Sequence, residues 1–428
     1  MHSVLPTGDV HTHFEQQRQA IVELCAQLVA APSVNPPGDT RAVAEVVRTF
    51  LTGNGQSSQI VSTDAMMPSV VAVVDSGRPG RTLTLNVHLD TMPPGPLESW
   101  SVDPFTLTAV GERLYGLGMG NMKGAVAAMS FALVELARRR EEWNGRIVFT
   151  AVSDEVVFGA NGAQHLLSTL PELPGDALIC GEGAGFGRLA VGEKGVLWLE
   201  ISTHGVAGHA SAVQRDTSAS ARIASAVSAI DALTGFAVPA DPTIVDADSA
   251  FTLSANVGVI EAGSFIGQIA TFARAEVDLR IPPGLTLDVV EGMVRERIDA
   301  AVGPDIVTVQ RLKGWDPNQT DMSMRLGRSW LRASHEAGFG VPDLAIRLPA
   351  SDASRWRRVG VDALCFGPQP FLSAGVDDFA YENDVVDCAV MYVLAALAYL
   401  GPNGENSEQR EGEMDDNGQT MSGDRRDS

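Results

Sequence analysis

The chain has 428 residues, 45% of them hydrophobic and 20% charged, a globular composition long enough for two domains with their own cores. Its formal net charge of -22 repels phosphate groups, which excludes nucleic acid and anionic membrane as natural partners. The four cysteines, Cys25, Cys180, Cys365 and Cys388, form no Cys-x-x-Cys pair; a disulfide scaffold or zinc knuckle is excluded, and a reducing, cytoplasmic setting is expected.

The opening MHSVLPTGDVHTHFEQQ lacks the basic and apolar regions of a secretory signal, and His11 and His13 are expected in a loose segment. Apolar spacing predicts helices over 14–31 and 40–53. Strands follow at SVVAVVD (69–75) and TLTLNV (82–87), then a long helix over 122–140. RIVFTAV (146–152) reads as a strand, GAQHLLSTL as a helix and DALICG (176–181) as a strand. Strands alternating with helices imply an α/β fold with a mostly parallel sheet.

Near residue 195 the pattern changes. GVLWLEISTH is a long alternating strand, followed by a helix (217–233), the strands TLSANVGVIE and ATFARAEVDLRI, and a helix (287–302). This content suggests a small α+β, ferredoxin-like insert over 195–311 with one open sheet face. Helix (322–338), strand and helix then complete the first domain, which comprises 14–194 and 312–400. The final apolar run, CAVMYVLAALAYL, reads as a buried helix too short to span a bilayer. Residues 401–428 are polar and acidic and are expected to be a disordered tail.

In open α/β sheets, ligands bind beyond the carboxyl ends of the strands. Three predicted strands end in suggestive groups: His88-Leu89-Asp90, Ser153-Asp154-Glu155 and Glu182. His88 and Asp90 share a side of an extended chain, so Asp90 is expected to hold one imidazole nitrogen while the other points at a cation. Cys180, two residues before Glu182, has no evident base nearby and reads as a buried thiol. Lys123 and its neighbouring glycines read as a helix-entry turn, since the spacing is not that of a phosphate loop.

The segments LNVHLDTMPPG, LYGLGMGNMKGAVAA, VSDEVVFGANGA, ICGEGAG, GVAGHAS, ARAEVDLRIPPG, LCFGP and SAGVDDFAYEND occur in an order that resembles a known family. That family comprises the zinc aminoacylases, acetylornithine deacetylases, succinyl-diaminopimelate desuccinylases and glutamate-releasing carboxypeptidases. The resemblance implies a catalytic domain carrying an inserted lid or dimerisation domain, and two zinc ions. Carried over by position, His88 and Glu182 would bind the first zinc, Asp90 would stand behind His88, and Glu155 would be the catalytic acid/base. The bridging Asp of the family falls on Asn121, one Glu ligand on Val156, and the last His ligand on Ala374 or Gly375. The expectation is therefore no metal or one weakly bound zinc, with a dinuclear centre unlikely. His209 matches the insert His that reaches a partner's active site, and Arg280 matches the Arg that grips a substrate carboxylate. Asn121 is expected to touch substrate.

These residues predict an amide-bond enzyme acting through Glu155 on a small N-acyl amino acid or peptide-like molecule with a carboxylate. It is expected to be a homodimer. The alternatives are a repurposed metal-independent acyltransferase, cyclase or proton-transfer enzyme, and a binding protein without catalysis.

Overall fold

The computed structural model describes residues 5–214, 217–370 and 375–401. The expected tail lies outside the described residues, apart from Gly401, as does Ala374. The chain divides into two compact units, one of residues 1–182, 322–342 and 367–428, the other of 183–321 and 343–366.

In the first unit, Thr82–His88 lies between two parallel neighbours, Arg146–Val152 and Ala177–Cys180. From Leu83 on its residues are buried on both faces, as the mostly apolar and β-branched run of a central parallel strand requires, with Asn86 and His88 the polar exceptions. Ser69–Asp75 pairs antiparallel with Arg146–Val152, and Ser58–Val61 pairs antiparallel beyond it. The chain thus adopts the expected α/β class, with two antiparallel strands added at one edge.

The helix Gly124–Arg138 is buried at every residue but the last. Its largely apolar surface, with Ser130 and Glu135 the buried polar exceptions, lets neighbours approach from all sides. Ser130 tolerates this burial because its hydroxyl donates to the Val126 carbonyl at 2.6 Å. The helix Glu382–Leu400 packs against Gly124–Arg138, Arg325–Glu336 and Thr7–Val29. With 19 residues it is longer than the apolar run that announced it, and by length and composition it could cross a membrane; 83% of its apolar window is buried in its own protein.

The segment carrying His11 and His13 is not loose. A helix begins at Thr7, burying Val10 and Phe14. His11 Nε2 lies 3.2 Å from the Ala337 carbonyl, and His13 Nε2 lies 3.3 Å from the Glu135 carboxylate. Two apolar residues four apart were enough to start the helix earlier than the longer apolar repeat suggested.

The second unit contains a four-stranded antiparallel sheet in the order Ser254–Ala262, Phe272–Ile281, Gly195–His204, Thr308–Trp315. Along Phe272–Ile281, Ala273, Ala275, Val277, Leu279 and Ile281 are buried, while Arg274, Glu276, Asp278 and Arg280 face the other way. The apolar side joins Ile223, Ala226 and Ile230 of the helix Ala219–Asp231 and Val290, Val294 and Ile298 of the helix Leu287–Val302 in one core. Each fully buried Val, Leu or Ile contributes about 1.5–3 kcal/mol relative to exposure, so this face fixes the register.

Candidate active site

The parallel register of the first unit sets the site. His88 is opposite Val152, and Asn86 is opposite Cys180. The residues that follow, Glu155 and Glu182, therefore emerge at the same carboxyl end of the sheet as His88. All three are buried, and their donor atoms lie within 4.8 Å of one another. His88 Nε2 is 3.2 Å from Asn121 Oδ1, 3.8 Å from Glu155 Oε2 and 3.9 Å from Glu182 Oε1.

His88 Nδ1 lies 2.9 Å from the main-chain oxygen of Asp90. A carbonyl only accepts, so Nδ1 donates there. Nε2, the other ring nitrogen, faces an amide oxygen and two carboxylates. Such a gathering of acceptors calls for a cation, because buried carboxylates repel one another strongly without one. His88 and Glu182, with the Asn121 amide oxygen, form a donor set for a single zinc ion, and the Glu155 carboxylate stands beside it. The sequence reading counted only His88 and Glu182 as strong donors; the structure brings the Glu155 carboxylate into the same group.

Asp90 reaches His88 through its main chain. Its carboxylate is 3.7 Å from His88 Nδ1, and the ring is held by the main-chain oxygen instead. The carboxylate turns to the loop carrying Glu155, where Oδ1 accepts from the Glu155 amide at 3.1 Å and Oδ2 from the Val156 amide at 3.0 Å. Val156 contributes that amide and no side-chain donor.

The Gly-rich turn that carries Asn121 is pinned by Asp378, whose carboxylate accepts from the Gly118 amide at 2.7 Å and the Gly120 amide at 3.1 Å. Gly118 has φ of +86°, and a Cβ there would meet Thr91 Cγ2 at 2.6 Å. The turn leads into the helix Gly124–Arg138, as expected for Lys123 and the glycines around it. The Lys123 amine is buried and donates to the Ala31 carbonyl at 3.2 Å. Burial pushes its pKa down to about 7, against the opposing pull of Asp378. Met122 Sδ accepts from the His88 amide at 3.1 Å, tying this turn to the strand end. Cys180 is buried with Sγ 3.5 Å from Asn86 Oδ1, an interior thiol.

The structure thus gathers His88, Asp90, Asn121, Glu155 and Glu182 in the first unit. His209 and Arg280 belong to the second. His209 is exposed, and its Nδ1 accepts from the Ser211 amide at 3.2 Å, capping a short turn and leaving the proton of the neutral ring on Nε2. Arg280 donates through Nε and Nη2 to Asp278 Oδ2 at 3.2 and 2.8 Å. Lys194 in the same unit has its amine pushed down to about 8, first by burial and then by the charge of Arg280. Asp154 was named only as part of a strand-end group, and Asn35, Asn161 and Asp378 were not foreseen; the hint was that SVNPPG, GANGA and GVDDF combine turn-formers with side-chain acceptors.

Imidazole and carboxylates converging where parallel strands end, with a second unit built on an antiparallel sheet under two helices, define a hydrolase of the peptidase or deacylase class. Residues 84–398 match the family described as Peptidase family M20/M25/M40, and the chain belongs to that family. It is 28% identical over 287 residues to a succinyl-diaminopimelate desuccinylase of Methylocella silvestris, covering 65% of this chain and 72% of that one. It is 27% identical over 194 residues to succinyl-diaminopimelate desuccinylase 2 of Ruegeria sp., covering 44% of this chain and 48%, about half, of that relative. Its fold is similar to that of the YXEP protein of Bacillus subtilis, described as a dinuclear metal binding peptidase: TM-score 0.69, 14% identity, 90% of this chain and 99% of that one.

Proposed function

We propose that the chain hydrolyses the amide of a small N-acyl amino acid or peptide bearing a carboxylate, with Glu155 as the acid/base group and one zinc ion held by His88 and Glu182. The convergence of His88 Nε2 with the carboxylates of Glu155 and Glu182, within 4.8 Å, carries this reading. When bound, zinc would polarise the scissile carbonyl and lower the pKa of the attacking water. Glu155 takes a proton from that water and delivers it to the departing amine, which converts a poor leaving group into a neutral one. The Asp90 carboxylate fixes the main chain of Glu155, so its carboxylate is presented without searching rotamers of the loop. Arg280, held by Asp278 Oδ2 at 2.8 Å, is the second unit's candidate cation for a substrate carboxylate. One ion rather than two is our reading because Val156 has no side-chain donor; the acceptor set around His88 Nε2 supports the first.

The test is direct. Protein equilibrated with zinc is offered a panel of N-succinyl and N-acetyl amino acids and dipeptides, and released amine is measured. Release from at least one carboxylate-bearing member, lost on chelation and restored by zinc, is expected. Activity untouched by chelation would replace this reading with a metal-independent one. Elemental analysis is expected to find close to one zinc per chain, and two tightly held ions would overturn the single-ion assignment.

A further inference from the structure

Between the strand end at Asp90 and the loop at Glu155 lies a buried contact that the chemistry above does not use. The segment 33–35 runs beside 89–91. Thr91 donates its amide to the Ser33 carbonyl at 2.9 Å, Asn35 donates its amide to the Thr91 carbonyl at 2.8 Å, and Ser33 Oγ donates to the Leu89 carbonyl at 2.7 Å. This pairing delivers the Asn35 side chain, 2% exposed, to a point between two carboxylates. Asn35 Nδ2 donates to Asp90 Oδ2 at 2.8 Å and approaches Asp154 Oδ1 at 3.3 Å. An amide nitrogen has two hydrogens, one for each carboxylate, and it adds no charge.

Both carboxylates are structural arms of the Glu155 loop. Asp90 accepts the amides of Glu155 and Val156. Asp154 accepts from the Asn161 amide at 3.0 Å and from Asn161 Nδ2 at 2.8 Å. Asp154 itself sits at φ +64°, a left-handed conformation that a non-glycine residue holds only when its surroundings compel it. The loop has little slack, since a Cβ on Gly159 would fall 1.9 Å from Asp154 Oδ2. Without Asn35 Nδ2 between them, the facing oxygens of Asp90 and Asp154 have no hydrogen to share, and each is free to turn away. Either movement releases the main chain of Glu155.

We propose that Asn35 is a positioning residue for Glu155: its amide bridges Asp90 and Asp154 and so locks the loop that presents the acid/base carboxylate. The assignment rests on the reading of Glu155 given above. It differs from a packing role in a way that substitution resolves. Asn35→Asp keeps the shape and replaces the donor with a third acceptor. Asn35→Ala removes the donor and leaves space. Asn35→Ser keeps a single donor. Simple packing ranks Asp as the mildest change, whereas bridging ranks Ser mildest and Asp harshest.

The measurement is site-resolved amide hydrogen exchange on the full chain. Loss of a charge-assisted hydrogen bond in Asn35→Ala should speed exchange at 155–156 at least about tenfold, with the strand Thr82–His88 unchanged. Exchange should rise in the order Ser, Ala, Asp, and kcat in the hydrolysis assay should fall in that order while KM stays near its starting value. Unchanged protection at 155–156, or an Asp variant milder than the Ala variant, overturns the proposal. If the Ala and Asp variants cannot be purified folded, Asn35→Ser against the unsubstituted chain decides alone: faster exchange at 155–156 is expected, and identical protection refutes the bridge. Exchange needs no substrate, so its result is separate from that of the activity panel.

Discussion

Glu155→Gln keeps the size of the side chain and removes its ability to accept a proton. If Glu155 is the acid/base group, the rate of amide hydrolysis should fall by about 10²-fold or more, with zinc still bound through His88 and Glu182. Near-normal turnover in this variant would move the chemistry to another base. The order of residues along the chain made part of this centre legible. His88, Glu155 and Glu182 each follow a predicted strand, and parallel pairing brings such positions together whatever the loops do. The duty of Asp90 was not legible, because spacing on a strand says which side a carboxylate faces and not which of several donors it meets. Asn35 and Asp378 lie far from the site in sequence and reach it only through tertiary pairing. A turn-forming Asn or Asp looks the same in sequence whether it serves its own turn or a distant one.

At the scale of elements, the long apolar segments were read correctly because burial on all sides leaves a uniform signature, as in Gly124–Arg138 and Glu382–Leu400. The short strands Arg188–Glu193, Asp343–Arg347 and Asp362–Cys365 were harder to read, since four to six residues hold too little alternation to separate strand from loop. The helix Glu382–Leu400 also carries a testable strain. Asp384 in its first turn is favourably placed for the helix dipole, yet burial, and then the nearby charge of Asp387, push its carboxyl up to about 6. The folded form therefore binds more protons than the unfolded form between the ordinary carboxylate range and pH 6. Stability from this group is full at acid pH and is lost as pH rises through about 6. Asp384→Asn removes that dependence. Its melting temperature relative to the unsubstituted chain should rise between pH 4 and pH 7, and a constant difference across this interval would show that Asp384 titrates normally.

At the scale of the molecule, the second unit leaves a surface that a monomer has little reason to keep. The strands Ser254–Ala262 and Thr308–Trp315 form the edges of its sheet, and an unpaired edge invites another chain. Beside the first of these edges, Phe265 is 66% exposed and Ile266 is 93% exposed, and a cleft of about 760 Å³ is lined by His209, Phe265 and Phe272 among others. These groups sit in the connection 263–271 that leaves the edge strand, and exposed large apolar groups clustered in this way mark an association site more often than a free surface. We propose that two copies pair through this edge and that His209, exposed and with Nε2 left to donate, serves the other chain's reaction. Two outcomes separate the parts of this proposal. Sedimentation should show a dimer that Ile266→Glu weakens, and a monomer at working concentration would remove the interface altogether. Inactive Glu155→Gln chains mixed with inactive His209→Ala chains should regain activity, because one site of each mixed dimer holds both residues intact. A dimer that fails to complement would retain the interface and strip His209 of its role across it, and full activity in His209→Ala would do the same without any mixing.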